Sequence, residues 1–518
     1  MRTGTLPRST PSASDIVRRL TAIDAVTAAW CAALGAIVVV LIAFPLSVKL
    51  NIWLDEAFTL HTTGAGLGMA WSQAVRFEDQ PPLYFVIEAA WRRLDEASTT
   101  FARIPSILFA AAAVAVMVIS AHRVAPRTPS LVVGFIAAFH PVIIWAAVEM
   151  RVYALVLLIG AVLTWTFFEG FLAPAPSRQA RVWYVIFALG GLYTQYFVGF
   201  LLAAHVLTLI VLRRRSLVAS LGLMSIVAVG FGPFLGITLA QVRSSGDSIK
   251  HASIASALHQ IVDAVLLYGF PHDQGWTGIA KLAGCGLVAA LLFVIIVIGR
   301  SNPVASAAGG VVLQLGFAIA LFALTFAVVG VPFDLVRHLI VLLPSSVLLV
   351  AMLLSSQRRL RTLGSGLTVT LFAALALSMF WSEYHSPMAK LGDWQRVAAM
   401  FSASDPATPI AVFPAELSLP LHVYLPVDAV PIPRPMPFVL GYVAATRLSG
   451  EADVARVLDP LAARSERVWI VTQDECRPSD FALYDYHCGF LEAFLVRHYR
   501  REQTVVFRGI EARRYVRL

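Results

Sequence analysis

Long apolar runs separated by short polar stretches fill the chain from about residue 25 to residue 380. A membrane-spanning helix needs roughly 17–25 apolar residues. Runs near or above that length cover 25–46, 104–120, 131–148, 153–172, 217–239, 282–298, 305–329, 335–354 and 363–380. The run 182–212 is too long for one helix and is interrupted by Tyr193-Thr194-Gln195-Tyr196. It predicts a tight hairpin of two short spans, for about eleven spans in all. The fold class expected is mainly α: a polytopic membrane protein carrying a C-terminal α/β domain.

The pattern changes after residue 381. Short β-rich runs at 410–413, 467–471, 504–507 and 511–516 alternate with helical stretches near 393–402, 452–463 and 490–499, as in a small α/β domain. The expected division is a polar, disordered tail at 1–22, a transmembrane unit at 23–381 containing a polar loop at 47–103, and an extracytoplasmic α/β domain at 382–518.

Composition agrees with the pattern. Of 518 residues, 58% are hydrophobic and only 14% charged, against about 25% charged in soluble domains. The net charge of +9 does not point to nucleic acid, because the basic residues form short clusters at the ends of apolar runs. Arg18-Arg19, His122 to Arg127, Arg178 to Arg181, Arg213 to Arg215, Arg300 and Arg358 to Arg361 all fall on one side of the span count. That side is cytoplasmic by the positive-inside rule. No cleavable signal peptide is apparent: the first apolar run is long enough to remain as an anchor. The count requires Asn51 to Arg103 to stay outside throughout, so Pro82 to Leu94 is expected as a helix lying on the outer membrane surface. Trp91, Arg92 and Arg93 suit that position. Cys31 and Cys285 lie in apolar runs. Cys476 and Cys488 lie twelve residues apart in the C-terminal part, where an oxidising compartment permits a disulfide.

Candidate chemistry gathers at the outer ends of the spans. Asp55, Glu56, Glu78, Asp79, Arg103, Glu149, Arg151, Tyr153, Gln195, Arg243, Lys250, Arg337 and His338 all fall there. Acids so near a bilayer are costly unless they work or are paired. A carboxylate can take a proton from an acceptor hydroxyl, and a guanidinium fork matches phosphate oxygens. Plainer readings stand beside these. Asp55 suits a helix N-cap, Glu149 and Arg151 suit a salt bridge, Arg103 suits a span anchor, and Tyr84 and Trp91 suit interfacial aromatics. Pro81-Pro82 fixes an extended entry into a helix.

Four segments occur in an order and spacing that resemble one superfamily: Leu54-Asp55-Glu56-Ala57-Phe58-Thr59, Gln80-Pro81-Pro82-Leu83-Tyr84-Phe85, Arg103-Ile104-Pro105-Ser106 and Glu149-Met150-Arg151-Val152-Tyr153-Ala154-Leu155. Tyr193-Thr194-Gln195-Tyr196-Phe197 and Asp393-Trp394-Gln395-Arg396 extend the likeness. The chain resembles the integral-membrane GT-C glycosyltransferases, in the branch of the protein O-mannosyltransferases and the lipid A aminoarabinose transferase. The resemblance implies inverting transfer of a sugar from a polyprenyl-phosphate donor to an extracytoplasmic glycan, lipid or protein acceptor. It makes Asp55 the base, with Glu56 as a second catalytic candidate. Glu78, Asp79, Tyr84, Arg103, Glu149, Arg151, Tyr153, Gln195, Arg337 and His338 are then candidates for substrate binding, Arg337 and Arg151 holding the leaving phosphate. Ala/Arg/Val-rich usage, like that of high-GC bacteria, extends this by association to mannose or arabinofuranose and to cell-wall glycan.

Two departures bear on metal binding. Relatives often carry histidine where this chain has Gln80 and Gln195, and glutamine is a poor metal ligand. No cofactor is expected with assurance; Glu78 or Asp79 is the expected ligand of any divalent metal ion. His338 replaces a tyrosine common in relatives. The rival readings are a transporter or flippase for a polyprenyl-linked lipid, which would place polar residues near the midplane of matching halves, and an inactive homologue that binds glycan.

Overall fold

The computed structural model describes residues 13–246, 303–329, 335–356, short pieces between 362 and 377, and 392–404, 406–425, 428–473 and 486–518. The expected span at 282–298 and part of that at 363–380 lie outside these residues, as do Cys285, Lys250 and Cys476.

The bundle begins with α1 (Ala13–Lys49). The polar loop that follows folds into three ten-residue helices, α2 (Leu54–Thr63), α3 (Leu67–Arg76) and α4 (Leu83–Arg92). Then come α5 (Thr99–Val124), α6 (Ser130–Ala138), α7 (Pro141–Ala147) and α8 (Tyr153–Phe167), whose last turn widens into a π-helical segment at Phe168–Leu172. α9 (Arg178–Leu192) and α10 (Val198–Leu212) form the hairpin expected around Tyr193 to Tyr196. α11 (Arg214–Phe231) continues through the turn Gly232–Phe234 into α12 (Leu235–Gly246). α13 is Pro303–Val329 and α14 is Leu343–Ser356, the latter entered through Leu335–His338 and Leu339–Leu342.

Five of these helices, by length and composition, can cross a membrane; they include Asp24–Lys49, Thr99–Val124, Tyr153–Leu172 and Arg214–Arg243. The first three pack together at the centre. Alanines at 110, 111 and 113 of α5 are buried, so α1 and α8 approach its backbone closely. Among the described residues, 78% of the Tyr153–Leu172 window is buried and only 11% of the Arg214–Arg243 window, which sets α8 in the interior and leaves much of the apolar α11 face uncovered by them.

The run 131–148 is not one straight helix: α6 and α7 meet at a 59° bend, as in a broken span or a re-entrant loop. Pro141 opens α7 without an N–H, and His140 Nδ1 caps it by accepting from Val142 N at 3.2 Å. Within Pro82 to Leu94 the expected short helix forms as α4, with Arg93 exposed but Arg92 turned inward. α4 is too short to span, but Tyr84, Phe85, Glu88, Ala89 and Arg92 are buried. Arg92 points inward and donates to Leu60 O and Thr63 Oγ1 at 2.8 and 2.6 Å. Trp91 stacks on Phe101 and donates to its carbonyl.

The C-terminal α/β region has five strands, β1 (Ile410–Phe413), β2 (Val430–Pro431), β3 (Arg467–Gln473), β4 (Tyr499–Phe507) and β5 (Ile510–Arg517), in the order β2-β1-β3-β5-β4. β1 runs parallel to β2 and β3, and β5 antiparallel to β3 and β4. β1 and the middle of β3 are buried on both faces, which explains their unbroken apolar runs. One face is covered by α15 (Trp394–Ser402) and α16 (Ser418–Tyr424), the other by α17 (Glu451–Ala462) and α18 (Gly489–His498).

Candidate active site

The polar loop is held to the bundle by two buried ion pairs. Arg103, on the first turns of α5, grips Glu56 of α2 with both arms, Nε to Oε1 at 2.9 Å and Nη2 to Oε2 at 2.8 Å. Its remaining N–H groups donate to the carbonyls of Ser47, Leu50 and Asn51 at 2.8–2.9 Å, and Met150 N donates to Glu56 Oε1 at 3.0 Å. Neither side chain has meaningful exposure, 1% and 0%. A buried charge pair is tolerated only when its further donors and acceptors are satisfied, and here they are. This placement makes Glu56 a fastening and keeps it away from solvent.

The second pair joins Arg151 to Glu78 at 2.7 Å. The same Nη1 donates to Thr59 Oγ1 and to the Asp55 carbonyl at 3.0 and 3.2 Å, and Thr62 donates to the other Glu78 oxygen at 2.9 Å. Burial works against the Arg151 charge, but the carboxylates of Glu78 and then Asp55 outweigh it and raise its pKa. Both Glu78 oxygens are thus engaged, and among the described residues no group of three His, Cys, Asp or Glu stands in reach of one ion. The donor set at Glu78 does not fit a divalent metal.

Asp55 differs from its neighbours. It sits on the first turn of α2, keeps 25% side-chain exposure, and faces Arg337 at 3.5 Å. Arg337 lies with its guanidinium 4.6 Å from the ring centre of Trp53, and Trp53 Nε1 donates to Glu149 Oε2 at 2.7 Å. Glu149 therefore supports the tryptophan on which Arg337 rests. The N-cap of α2 is the extended residue Trp53, which makes no side-chain cap, so Asp55 is not that helix's N-cap.

The remaining candidates divide. Asp79 takes a left-handed backbone, φ 57°, and is partly exposed. His338 lies 4.2 Å from the Phe197 ring. Gln195 is buried, and its Oε1 has no hydrogen-bond partner among the described residues. Tyr153 is buried against Trp145. Tyr84 is fully buried against Phe85, away from any interface, and burial pushes its hydroxyl well above the usual range. Arg243 lies exposed in the last turn of α12. Cys488 is disulfide-bonded; the expected pairing with Cys476 involves a residue outside those described.

Sequence reading missed Trp53, Asn51, Tyr424 and Glu88. Trp53 is two residues from Asp55 inside a quoted segment, so proximity could have marked it. Tyr424 carries no local signal at all.

A helical membrane bundle with a folded polar loop at one end and a C-terminal α/β region against it is the GT-C fold. Among solved structures the chain is similar to ArnT from Cupriavidus metallidurans in the apo state, with a TM-score of 0.53 at 12% identity over 93% of this chain and 97% of that one. A weaker likeness is to the Archaeoglobus fulgidus oligosaccharyltransferase in complex with Zn and sulfate, TM-score 0.44 at 11% identity, covering 94% of this chain and 73% of that one. No family model and no curated protein matches the chain. The likeness to ArnT establishes the fold.

Proposed function

We propose that this protein is a glycosyltransferase that moves a sugar from a polyprenyl-phosphate donor to an acceptor on the outer face of the plasma membrane, with inversion. The observation that carries the reading is the Asp55–Arg337 pair. Of the loop acids Asp55, Glu56 and Glu78, Asp55 alone is not locked in a buried pair. It faces Arg337, which is itself partly exposed.

The chemistry follows from that pair. The donor phosphate meets Arg337, whose fork matches its oxygens; Arg151, committed to Glu78, is no longer a phosphate ligand. Phosphate draws Arg337 from Asp55 and leaves the carboxylate free as a base. Asp55 takes the proton of the acceptor hydroxyl. The acceptor oxygen attacks the anomeric carbon from the face opposite the phosphate, and the bond to phosphate breaks through an oxocarbenium-like state. Phosphate leaves readily, so no acid catalyst is needed. Outer-face location rests on the basic clusters; mannose, arabinofuranose and a cell-wall acceptor rest on association alone.

A lipid flippase is the second reading. The gathering of charged pairs at one end of the bundle, rather than at mid-span, favours the enzyme. The test is transfer from a panel of radiolabelled polyprenyl-phosphate sugars to envelope acceptors by the full-length protein in lipid, wild type beside Asp55→Asn. One sugar should be transferred by the wild type, and the variant should lose roughly a hundredfold in rate. An equally active variant overturns the role of Asp55. Consumption of no donor by either protein overturns the enzyme reading and favours the flippase.

A further inference from the structure

The residues that lead into α2 are gripped from two sides. On the bundle side, the Asn51 carbonyl accepts from Arg103 Nη2 at 2.8 Å. On the other side the partners all come from the C-terminal region. Asn51 Nδ2 donates to Asp393 Oδ1 at 3.3 Å, and Asn51 Oδ1 accepts from Gln395 N at 3.2 Å. The amide of Ile52 donates to the Tyr424 hydroxyl at 2.6 Å. Asn51, Ile52 and Asp393 are buried, so these bonds are the means by which those polar groups are satisfied. Asp393 is itself fixed, since it caps α15 and pairs with Arg396.

The grip continues along the helix. Ile52 and Ala57 pack with Leu419 and Tyr424 of α16. Phe58 and Phe77 pack with Ala415 and Met436. In the last turn of α2 the His61 ring stacks on Phe438, centroids 3.4 Å apart and nearly parallel at 10°. Asp55 sits between the polar grip at 51–52 and the aromatic grip at 58–61. Its partner Arg337 comes from the bundle. The placement of the base against the arginine thus depends on where the C-terminal region holds α2, together with the bundle contacts of Arg103 on Glu56 and of Arg151 on the Asp55 carbonyl.

We propose that the C-terminal region is a built-in clamp on α2, and that Tyr424, Asn51 and Asp393 are positioning residues that set Asp55 against Arg337. The purpose of the clamp rests on the glycosyl-transfer reading; its existence does not. A base displaced by an ångström costs about a hundredfold in rate, so ordering α2 has a direct catalytic consequence.

The test uses the full chain in lipid nanodiscs, with Tyr424→Phe, which removes one hydroxyl, and Asn51→Ala, which removes the other link. Amide hydrogen exchange and initial rates with a polyprenyl-phosphate sugar are read together. Exchange over 52–58 should rise about tenfold or more while α5 and α8 stay unchanged. The kcat should fall at least about tenfold with donor KM within about twofold. Unchanged exchange over 52–58 in both variants overturns the clamp. Raised exchange with full kcat overturns the positioning role. Raised exchange in variants of a wild type that consumes no donor supports the clamp and overturns the glycosyl-transfer reading. Should one variant exchange everywhere, as a protein that has failed to fold would, the other decides.

Discussion

Neighbours decide what each acid of the polar loop can do. Glu56 and Asp55 are adjacent in sequence, yet one is sealed against Arg103 and the other faces solvent and Arg337. Glu56→Gln should therefore strand a buried guanidinium and destabilise the protein by about 3–5 kcal/mol. Asp55→Asn, at a half-exposed pair, should change stability by no more than about 1 kcal/mol. Thermal unfolding in detergent separates the two. Glu88 presents a different case. It is buried with both oxygens lacking a hydrogen-bond partner among the described residues, and burial, only partly offset by Arg92, pushes its pKa up to about 8. The folded protein then holds a proton that the unfolded chain releases above the ordinary carboxylate range. Stability should fall as pH climbs from that range toward about 8. Glu88→Gln should flatten the fall, as unfolding temperatures measured across pH 5 to about 8.5 would show.

At the scale of elements, close approach is what sequence periodicity does not reveal. Gly160 of α8 faces the backbone entering α14, where a Cβ would stand 2.4 Å from the Val341 carbonyl oxygen. The atom in the way is backbone, so it cannot turn aside as a side chain would. Gly160→Ala should force the helix pair apart and lower the melting temperature by several degrees, corresponding to about 1–3 kcal/mol. Gly222→Ala, inside α11 on a face with nothing within 4 Å, should not lower it and should raise it slightly. The α9–α10 hairpin was legible because polar residues broke a run too long for one helix. The α6–α7 bend was not, because Phe139-His140-Pro141 sits in a stretch that remains apolar on average. β1 was legible at its full length, and β3 and β5 were short by two residues each; β4 was short by five, because its first half carries the charged run Arg500-Arg501-Glu502, and the two-residue β2 left no signal.

For the molecule as a whole, the proposed orientation rests on the arrangement of basic clusters. Single cysteines placed at Ser404 and at Arg501, in the C-terminal region, should react with a membrane-impermeant maleimide from outside intact spheroplasts. One placed at Arg178, the first residue of α9, should react only in inverted vesicles. Equal reaction of all three from outside would overturn the outer-face reading. The fold class could be read from the chain because apolar runs of spanning length leave few alternatives in lipid, where backbone groups must be satisfied within helices.

The sequence by itself determined the membrane class, the hairpin, the strand-and-helix character of the C-terminal region, and the segments that hold the charged residues. Those are consequences of local composition and period. Which charge meets which was decided only by tertiary structure. Arg103 lies 47 positions from Glu56, Arg337 282 from Asp55, and Asp393 342 from Asn51. No periodicity links residues so far apart. The pairing is set by how helices pack and by where the C-terminal region closes on α2, which is why Asp55 remained open while its neighbour was buried.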